Sequence, residues 1–280
     1  MVRMGRLYPD DVDAALALSA AEGWNQSADD WRRLLRLDPH GCFASRAGER
    51  LIGTVTTTTY GRTMAWIGMM VVHPDQRGQG IGAALMRLAL DYLSRLGIPT
   101  VKLDATPVGR PLYELLGFVA EAEVERWQGV ATVGDAPDAR SASGALHQVA
   151  MLDEAGFGAD RSALLEILVA EGVGDPLIVH STGASPGGFA LARRARVATY
   201  IGPLIAASAR EAESLLDGML ARLAGTDVCL DLHAGGPLTR EMLERRGFTR
   251  RRGLTRMRFG SPSAAGVGGL VGASAGPEYG

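Results

Sequence analysis

The sequence predicts a layered α/β protein built as two unequal copies of one unit. Three observations carry this reading. Apolar runs of strand length alternate with amphipathic helical segments along the 280 residues. The order recurs: "VKLDA … LYELLGF" in the first half is matched by "VCLDL … MLERRGF" in the second, and Gly97 and Gly225 close equivalent helices. Between the copies lies a small, polar, turn-rich stretch, "GDAPDARSASG". The expected division is 1–133 for the first domain, 134–146 for a linker and 147–280 for the second.

The elements follow in order. Residues 10–22 carry an apolar stripe of Ala15, Leu16, Leu18 and Ala21, ended by "GWNQS". Ser27 caps a second helix over 28–37, stopped by Asp38-Pro39. Strands are expected over 41–46, 50–60 and 63–72; the second contains the β-branched run "TVTTTTY". A helix over 80–96 places Ile81, Leu85, Leu88, Tyr92 and Leu96 on one side. "TVKLDA" is a strand, "RPLYELLGF" a short helix with a glycine stop, and "VAEAEVERW" a last strand. In the second half 161–171 and 209–223 read as helices. "PLIVHS", "GGFALARR", "ATYIGPLIA" and "DVCLDL" read as strands, followed by the helix "TREMLERRGF" and the strand "RRGLTRMRF". The low-complexity tail "SPSAAGVGGLVGASAGPEYG" is expected to be loose or draped over a neighbour.

Composition narrows the function classes. The formal net charge is −2, with 46% hydrophobic and 21% charged residues, so no global pull towards nucleic acid or anionic lipid is expected. Two distant cysteines, Cys42 and Cys229, make neither a metal spacing nor a disulfide framework, and the five histidines form no metal-like cluster. "MVRMGRLYPDD" lacks the apolar core of a signal peptide, and no apolar run reaches membrane-spanning length. A cytoplasmic protein with free thiols and no metal is expected.

The stretch "MMVVHPDQRGQGIGAAL" carries the chemistry. A strand runs into a helix through Gly78, Gly80 and Gly82, beside Arg77, whose guanidinium is expected to add a full positive charge for a cofactor's phosphates. Glycines permit a tight turn and close backbone approach, and the helix start offers unpaired N–H groups with partial positive charge. Such a turn suits a phosphate or pyrophosphate; the plain alternative is a tight strand–helix turn packed with glycine. No Gly-Lys-Ser/Thr is present, and the third glycine of G-x-G-x-x-G would fall on Ala83.

The pattern Arg/Gln-x-x-Gly-x-Gly, as Arg77, Gly80 and Gly82 after "VVHP", resembles the Gcn5-related N-acetyltransferases. Pro74, the long helix, the "LDA" strand and "LYELLGF" extend the likeness. "LDATPVGRPLYELLGF", "GWNQS" and "YIGPLIA" resemble the tandem YitH-like bacterial branch, whose second copy is divergent. The resemblance implies two tandem domains, each a mixed, mainly antiparallel sheet flanked by helices, the second degenerate. It implies acetyl-CoA as co-substrate, its pantetheine arm on Met70, Val71 and Val72 and its phosphates on the turn from Gly78 through Gln79, Gly80, Ile81 and Gly82 to Ala83. Tyr113 stands where the family often carries the acid that protonates the leaving thiolate; packing on its helix is the alternative. Asp104 stands where relatives carry a base, or else caps the "TPVG" turn. The loop "TPVGRP" lacks the Asn of many relatives, and Arg110 is the substitute contact. Trp24, Asn25, Trp66 and Met69 are candidates for the acceptor pocket, with core or surface roles as alternatives.

Transfer of an acetyl group to a small-molecule primary amine is the expected activity, in a monomer or homodimer without nucleic-acid or membrane partners. An acyl-CoA-binding sensor without turnover and a protein lysine or N-terminal acetyltransferase are the alternatives. Aligning the copies on Pro74 and Pro203 sets "DQRGQGIG" against "LIAASARE", so the second copy is expected to lack the phosphate turn.

Overall fold

The computed structural model describes residues 2–132, 138–181, 186–262 and 268–280. The first half contains β1 (Val2–Arg6), α1 (Val12–Ala21), α2 (Ala28–Leu37), β2 (Phe43–Ala47), β3 (Arg50–Tyr60), β4 (Met64–Val72), α3 (Ile81–Arg95), β5 (Thr100–Ala105), α4 (Arg110–Leu115) and β6 (Val119–Val130). The second contains β7 (Arg140–Ser141), α5 (Leu146–Phe157), α6 (Ser162–Ala170), β8 (Leu177–His180), β9 (Pro186–Arg193), β10 (Thr199–Ala206), α7 (Ala209–Arg222), β11 (Asp227–His233), α8 (Arg240–Glu244), β12 (Thr249–Gly260) and β13 (Val271–Ala273). The expected helices and strands are present to within a few residues. The strands β1 and β13 and the helix α5 were not anticipated. The linker reading falls partly on 133–137, outside the described residues; beyond them Arg140 and Ser141 pair with Ile178 and Leu177 as an edge strand.

All strands join one sheet in the order β1-β2-β3-β4-β5-β12-β6-β11-β13-β10-β9-β8-β7. The order exposes an exchange. β12, from the second half, pairs with β5; β6, from the first half, pairs with β11. Each copy completes its sheet with the other's last strand, and the two exchanged strands lie antiparallel side by side. The cores follow the exchange. Met257 packs with Leu85, Leu93, Val101 and Leu103 of the first half, while Trp127 packs with Leu230, Leu243 and Phe248 of the second.

Two buried ion pairs sit at the exchanged strands. Arg256 lies opposite Asp104 in register and grips its carboxylate with two hydrogen bonds of 2.9 Å. Arg126 lies opposite Asp231 and does the same at 2.5 and 2.7 Å. Each guanidinium also faces an aromatic ring, Arg256 over Trp66 at 4.7 Å and Arg126 over Tyr200 at 5.4 Å. The repeated aspartate of "KLDA" and "CLDL" is thus the socket for the other half's arginine.

Of the two expectations for the tail, loose or draped over a neighbour, the second holds from residue 268 onwards. Ala275, Glu278 and Tyr279 are buried. Pro277 O accepts a hydrogen bond from Trp66 Nε1 (2.9 Å), and Tyr279 O accepts one from the Tyr60 hydroxyl (2.6 Å). Glu278 pairs with Arg193 and accepts from Gln26 Nε2. Small residues let the segment lie flat: a side chain on Gly68 would meet the Glu278 backbone at 2.9 Å.

Burial pushes the Asp231 carboxyl up, but Arg126, bonded to it, prevails and holds it below the ordinary carboxylate range. A depressed carboxyl stabilises the fold above its unfolded pKa, near 4, and loses that contribution as pH falls through the folded value. Replacing Arg126 by Ala leaves a fully buried carboxylate without its counter-charge, bonded only by the Tyr200 hydroxyl. Urea denaturation at pH 7 is expected to show a loss of about 3–5 kcal/mol. The gap to the native protein narrows as pH falls below about 4, and Arg126→Met with Asp231→Leu recovers most of it.

Candidate functional site

The strands β4 and β5 run parallel and pair only at Met64–Thr100, Ala65–Val101 and Trp66–Lys102. Beyond these they diverge. In the diverging part β4 carries a bulge: Thr54 faces Val71 while Thr56 faces Gly68, so β4 has one extra residue. Met69 absorbs it at φ 48°, a conformation rare for a side-chain-bearing residue. Its carbonyl accepts a hydrogen bond from Thr54 Oγ1 at 2.8 Å. The rest of β4 has no β5 partner, which leaves a strand edge facing a gap, where an extended amide-bearing ligand can add.

The turn after β4 closes one end of the gap. Gly78 and Gly80 have φ of 74° and 78°, and a Cβ on either would touch nothing; they are needed for backbone direction. Gly82 is needed for space: a Cβ there would lie 2.8 Å from Met70 Cε and 3.3 Å from Leu112 Cδ2. Gly80 enters α3 with no side-chain cap, so the first N–H groups of the helix are free to meet an anion. Arg77 does not present the open charge expected of it. Its Nε donates to Val72 O at 3.0 Å and its guanidinium pairs with Glu22. Arg77 therefore fastens the turn to the strand end, with its charge offset.

The cleft so formed has a volume of about 560 Å³. The strand β4 from Met69 to Val72, the turn, and Leu112 and Tyr113 of α4 supply its walls. Trp24 from the first half, and Arg252 and Pro277 from the second, supply the remainder. Burial pushes the Tyr113 phenol up to about 12, so it stays protonated through neutral and mildly alkaline pH. Its ring packs on Phe118, 6.0 Å between centroids, and its hydroxyl has no hydrogen-bond partner among the described residues. The ring is packed, and the hydroxyl is left unbonded by the described residues, an arrangement compatible with either reading of Tyr113.

Other candidates fall elsewhere. Asp104 borders the cleft, but both carboxylate oxygens accept from Arg256 and the side chain is fully buried. Both oxygens are thus taken up by the guanidinium, and Asp104 does not cap the "TPVG" turn, where Thr106 Oγ1 accepts from Gly109 N instead. Arg110 is turned to Glu114 one helical turn on, away from the cleft, and Gln79 does not line it. Trp66 is fully buried under the tail. Asn25 is consumed by the second half: its Oδ1 accepts from the backbone of Val197 and Ala198, and its Nδ2 donates to Ala198 O. Trp24 and Met69 do line the cleft. Arg252 and Glu22 were not anticipated. The unusually basic strand "TRRRGLTRMRF" was a readable signal for the first of them. Among the described residues no cluster of metal-ligating side chains occurs, and no helix is long and apolar enough to cross a membrane.

The second copy lacks this site for two reasons. Its register sets Tyr200 and Gly202 against Trp66 and Gly68, because β10 pairs with β11 at Thr199–Val228 and Tyr200–Cys229. Pro203 therefore matches Met69, which corrects the alignment on Pro74. The connection from β10 to α7 is only Ala207 and Ser208, and Ser208 caps the helix by accepting from Glu211 N. The gap between β10 and β11 is filled by β13: Ala273 pairs with Leu204 on one side and Leu232 on the other.

A splayed, bulged strand leading through a glycine turn into an uncapped helix marks the acyl-CoA-dependent acetyltransferase fold; the fold is duplicated here, the glycine turn is not. The chain belongs to the Gcn5-related N-acetyltransferase (GNAT) family. A model described as the acetyltransferase (GNAT) family matches residues 11–118, and one described as an acetyltransferase (GNAT) domain matches 149–268. The chain is 23% identical over 225 residues to the uncharacterized N-acetyltransferase YitH of Bacillus subtilis, covering 79% of this chain and 78% of that protein. It is 32% identical over 100 residues to a mycothiol acetyltransferase of Thermomonospora curvata, covering 35% of this chain and 32% of that one. In fold it is similar to a candidate acetyltransferase from Pyrococcus horikoshii, with a TM-score of 0.86 at 23% identity, covering 100% of this chain and 96% of the other. The family uses acetyl-CoA.

The ion pair of Asp104 yields a discriminating expectation. Asp104→Asn weakens a buried pair and lowers stability in urea by about 3 kcal/mol or more. Loss of turnover with unchanged stability would instead mark Asp104 as a proton acceptor.

Proposed function

We propose that the first half binds acetyl-CoA and transfers its acetyl group to the amine of a small molecule, one site per chain. The observation that carries this is the contrast between the copies: the strand gap is open and backed by the glycine turn in the first and filled by β13 in the second. In this reading the pantetheine amides pair with the free edge of β4 at Met70, Val71 and Val72. The pyrophosphate rests on the N–H groups of the turn from Gly78 to Ala83. A small acceptor is favoured because the tail and the second half wall the cleft with Pro277 and Arg252. A relative named for mycothiol rather than for a protein agrees with that.

The chemistry follows from the residues present. An ammonium of pKa near 10 is about 0.1% neutral at pH 7, a cost of roughly 4 kcal/mol. With Asp104 committed to Arg256, the proton leaves to solvent water in the open cleft. The amine nitrogen attacks the thioester carbonyl, and the tetrahedral intermediate expels the thiolate. Tyr113, protonated and unpartnered, donates its proton to that sulfur, and the proton that the nitrogen sheds as the amide forms returns to the phenolate through water.

Calorimetry with acetyl-CoA is expected to give one equivalent per chain, and Gly82→Trp to abolish binding with the fold retained. Two equivalents, or unchanged affinity in the variant, would refute the cradle. Tyr113→Phe is expected to lower kcat by about 10²-fold with acetyl-CoA affinity unchanged. Binding without release of thiol across a broad amine panel would favour a sensor.

A further inference from the structure

The arginines buried at this domain junction are paired with carboxylates; half-buried Arg252 beside them is not. Arg33 and Arg193 meet Asp30, Arg126 meets Asp231, Arg161 meets Asp153 and Arg256 meets Asp104. Arg252 lines the cleft, yet its guanidinium makes no hydrogen bond to a described residue, and its Nε is buried without a partner. Leaving a buried donor unmade costs about 1–3 kcal/mol, more for a charged group.

The surroundings offer Arg252 no anion of its own. It lies opposite Arg126 in the strand register. The carboxylates that face it, Asp231 and Glu278, are held by Arg126 and by Arg193. Burial and the charge of Arg126 both act against its protonated form. The cofactor's phosphates already have a receptor, the turn between β4 and α3. Arg252 comes instead from β12, three residues beyond the point where β12 stops pairing with β5 at Thr255–Ala105. That is about 10 Å of strand.

We propose that Arg252 receives an anionic group, carboxylate or phosphate, carried by the acceptor, so that the enzyme acetylates amines of amino-acid or phosphoamine type and not simple cations. This rests on the acetyltransferase reading of the cleft. The planar guanidinium fork matches either oxyanion. Its charge repels an acceptor that carries only an ammonium. In a zwitterion it holds the anionic end, while the same positive field favours loss of the ammonium proton, the step for which the cleft provides no free carboxylate.

The test is a thiol-release assay with acetyl-CoA on the full chain. It sets α-amino acids against their amides, phosphoethanolamine against ethanolamine, and spermidine as a pure cation. The member of a pair that carries the anionic group is expected to have a kcat/KM larger by about 10-fold or more, residing in KM, the scale of one charge-assisted hydrogen bond. The first comparison separates carboxylate from phosphate recognition. Arg252→Ala removes the preference and Arg252→Lys keeps part of it, both with the KM for acetyl-CoA unchanged. Equal or better turnover of the amines that lack the anionic group, or of spermidine, overturns the inference alone. So does a preference that survives in Arg252→Ala, or a variant whose loss lies in acetyl-CoA affinity. A protein that binds acetyl-CoA but turns over no amine overturns the acetyltransferase reading itself, and this inference with it.

Discussion

The structure depends on two reciprocal ion pairs, Asp104 with Arg256 and Asp231 with Arg126. Each joins a strand of one copy to the exchanged last strand of the other, directly opposite in register. Burying four charges is expensive, and such pairs are a weak source of net stability. Their effect is on register. A slip of one residue would turn each arginine to the opposite face of the sheet and leave its aspartate buried and alone. The pairs therefore specify one alignment of β12 and β6, and the exchange makes the halves mutually dependent. Residues 1–133 alone would leave the edge of β5 open and Asp104 without its arginine.

That alignment governs the cleft. With β12 held against β5, Arg252 and Arg256 reach the neighbourhood of the first half's site, and the chain that follows β12 returns through β13 to the tail. The tail fills the second gap and then crosses to Trp66 and Gly68 of the first half. One duplicated unit thus has two fates. In the first copy the parted strands stay open beside a long glycine turn. In the second, the same parting is occupied by protein, and a two-residue connection leaves no room for a turn.

Arginine is the recurrent means of fastening. Arg193 bonds Asp30, Ala275 O and Glu278; Arg161 bonds Asp153 and Gly280 O. These bonds tie α2, α5 and β9 to the tail. The packed tail is consistent with small residues: glycine and alanine do not fill a core, but they allow backbone to pass close to Trp66 and supply carbonyls to buried donors.

The sequence by itself determined the local order. The 3.6- and 2-residue periodicities, the Ser27 cap, the Gly97 and Gly225 stops and the glycine turn are encoded within a few residues of one another, so α2, α3, β3 and the cradle from Gly78 to Ala83 were legible. It also determined that the second copy has no phosphate turn, though not through which alignment. What only the tertiary structure decided was every partner distant along the chain. Asp104 and Asp231 look alike in sequence whether they are proton acceptors or sockets. The deciding arginines lie 152 and 105 residues away. The partners of Asn25, Trp66 and the tail were hidden for the same reason, since their contacts come from the other half. Strand exchange is invisible to periodicity, because β6 and β12 carry the same pattern whichever sheet they complete. Only the closing of both sheets at once, with each charge met, selects the pairing.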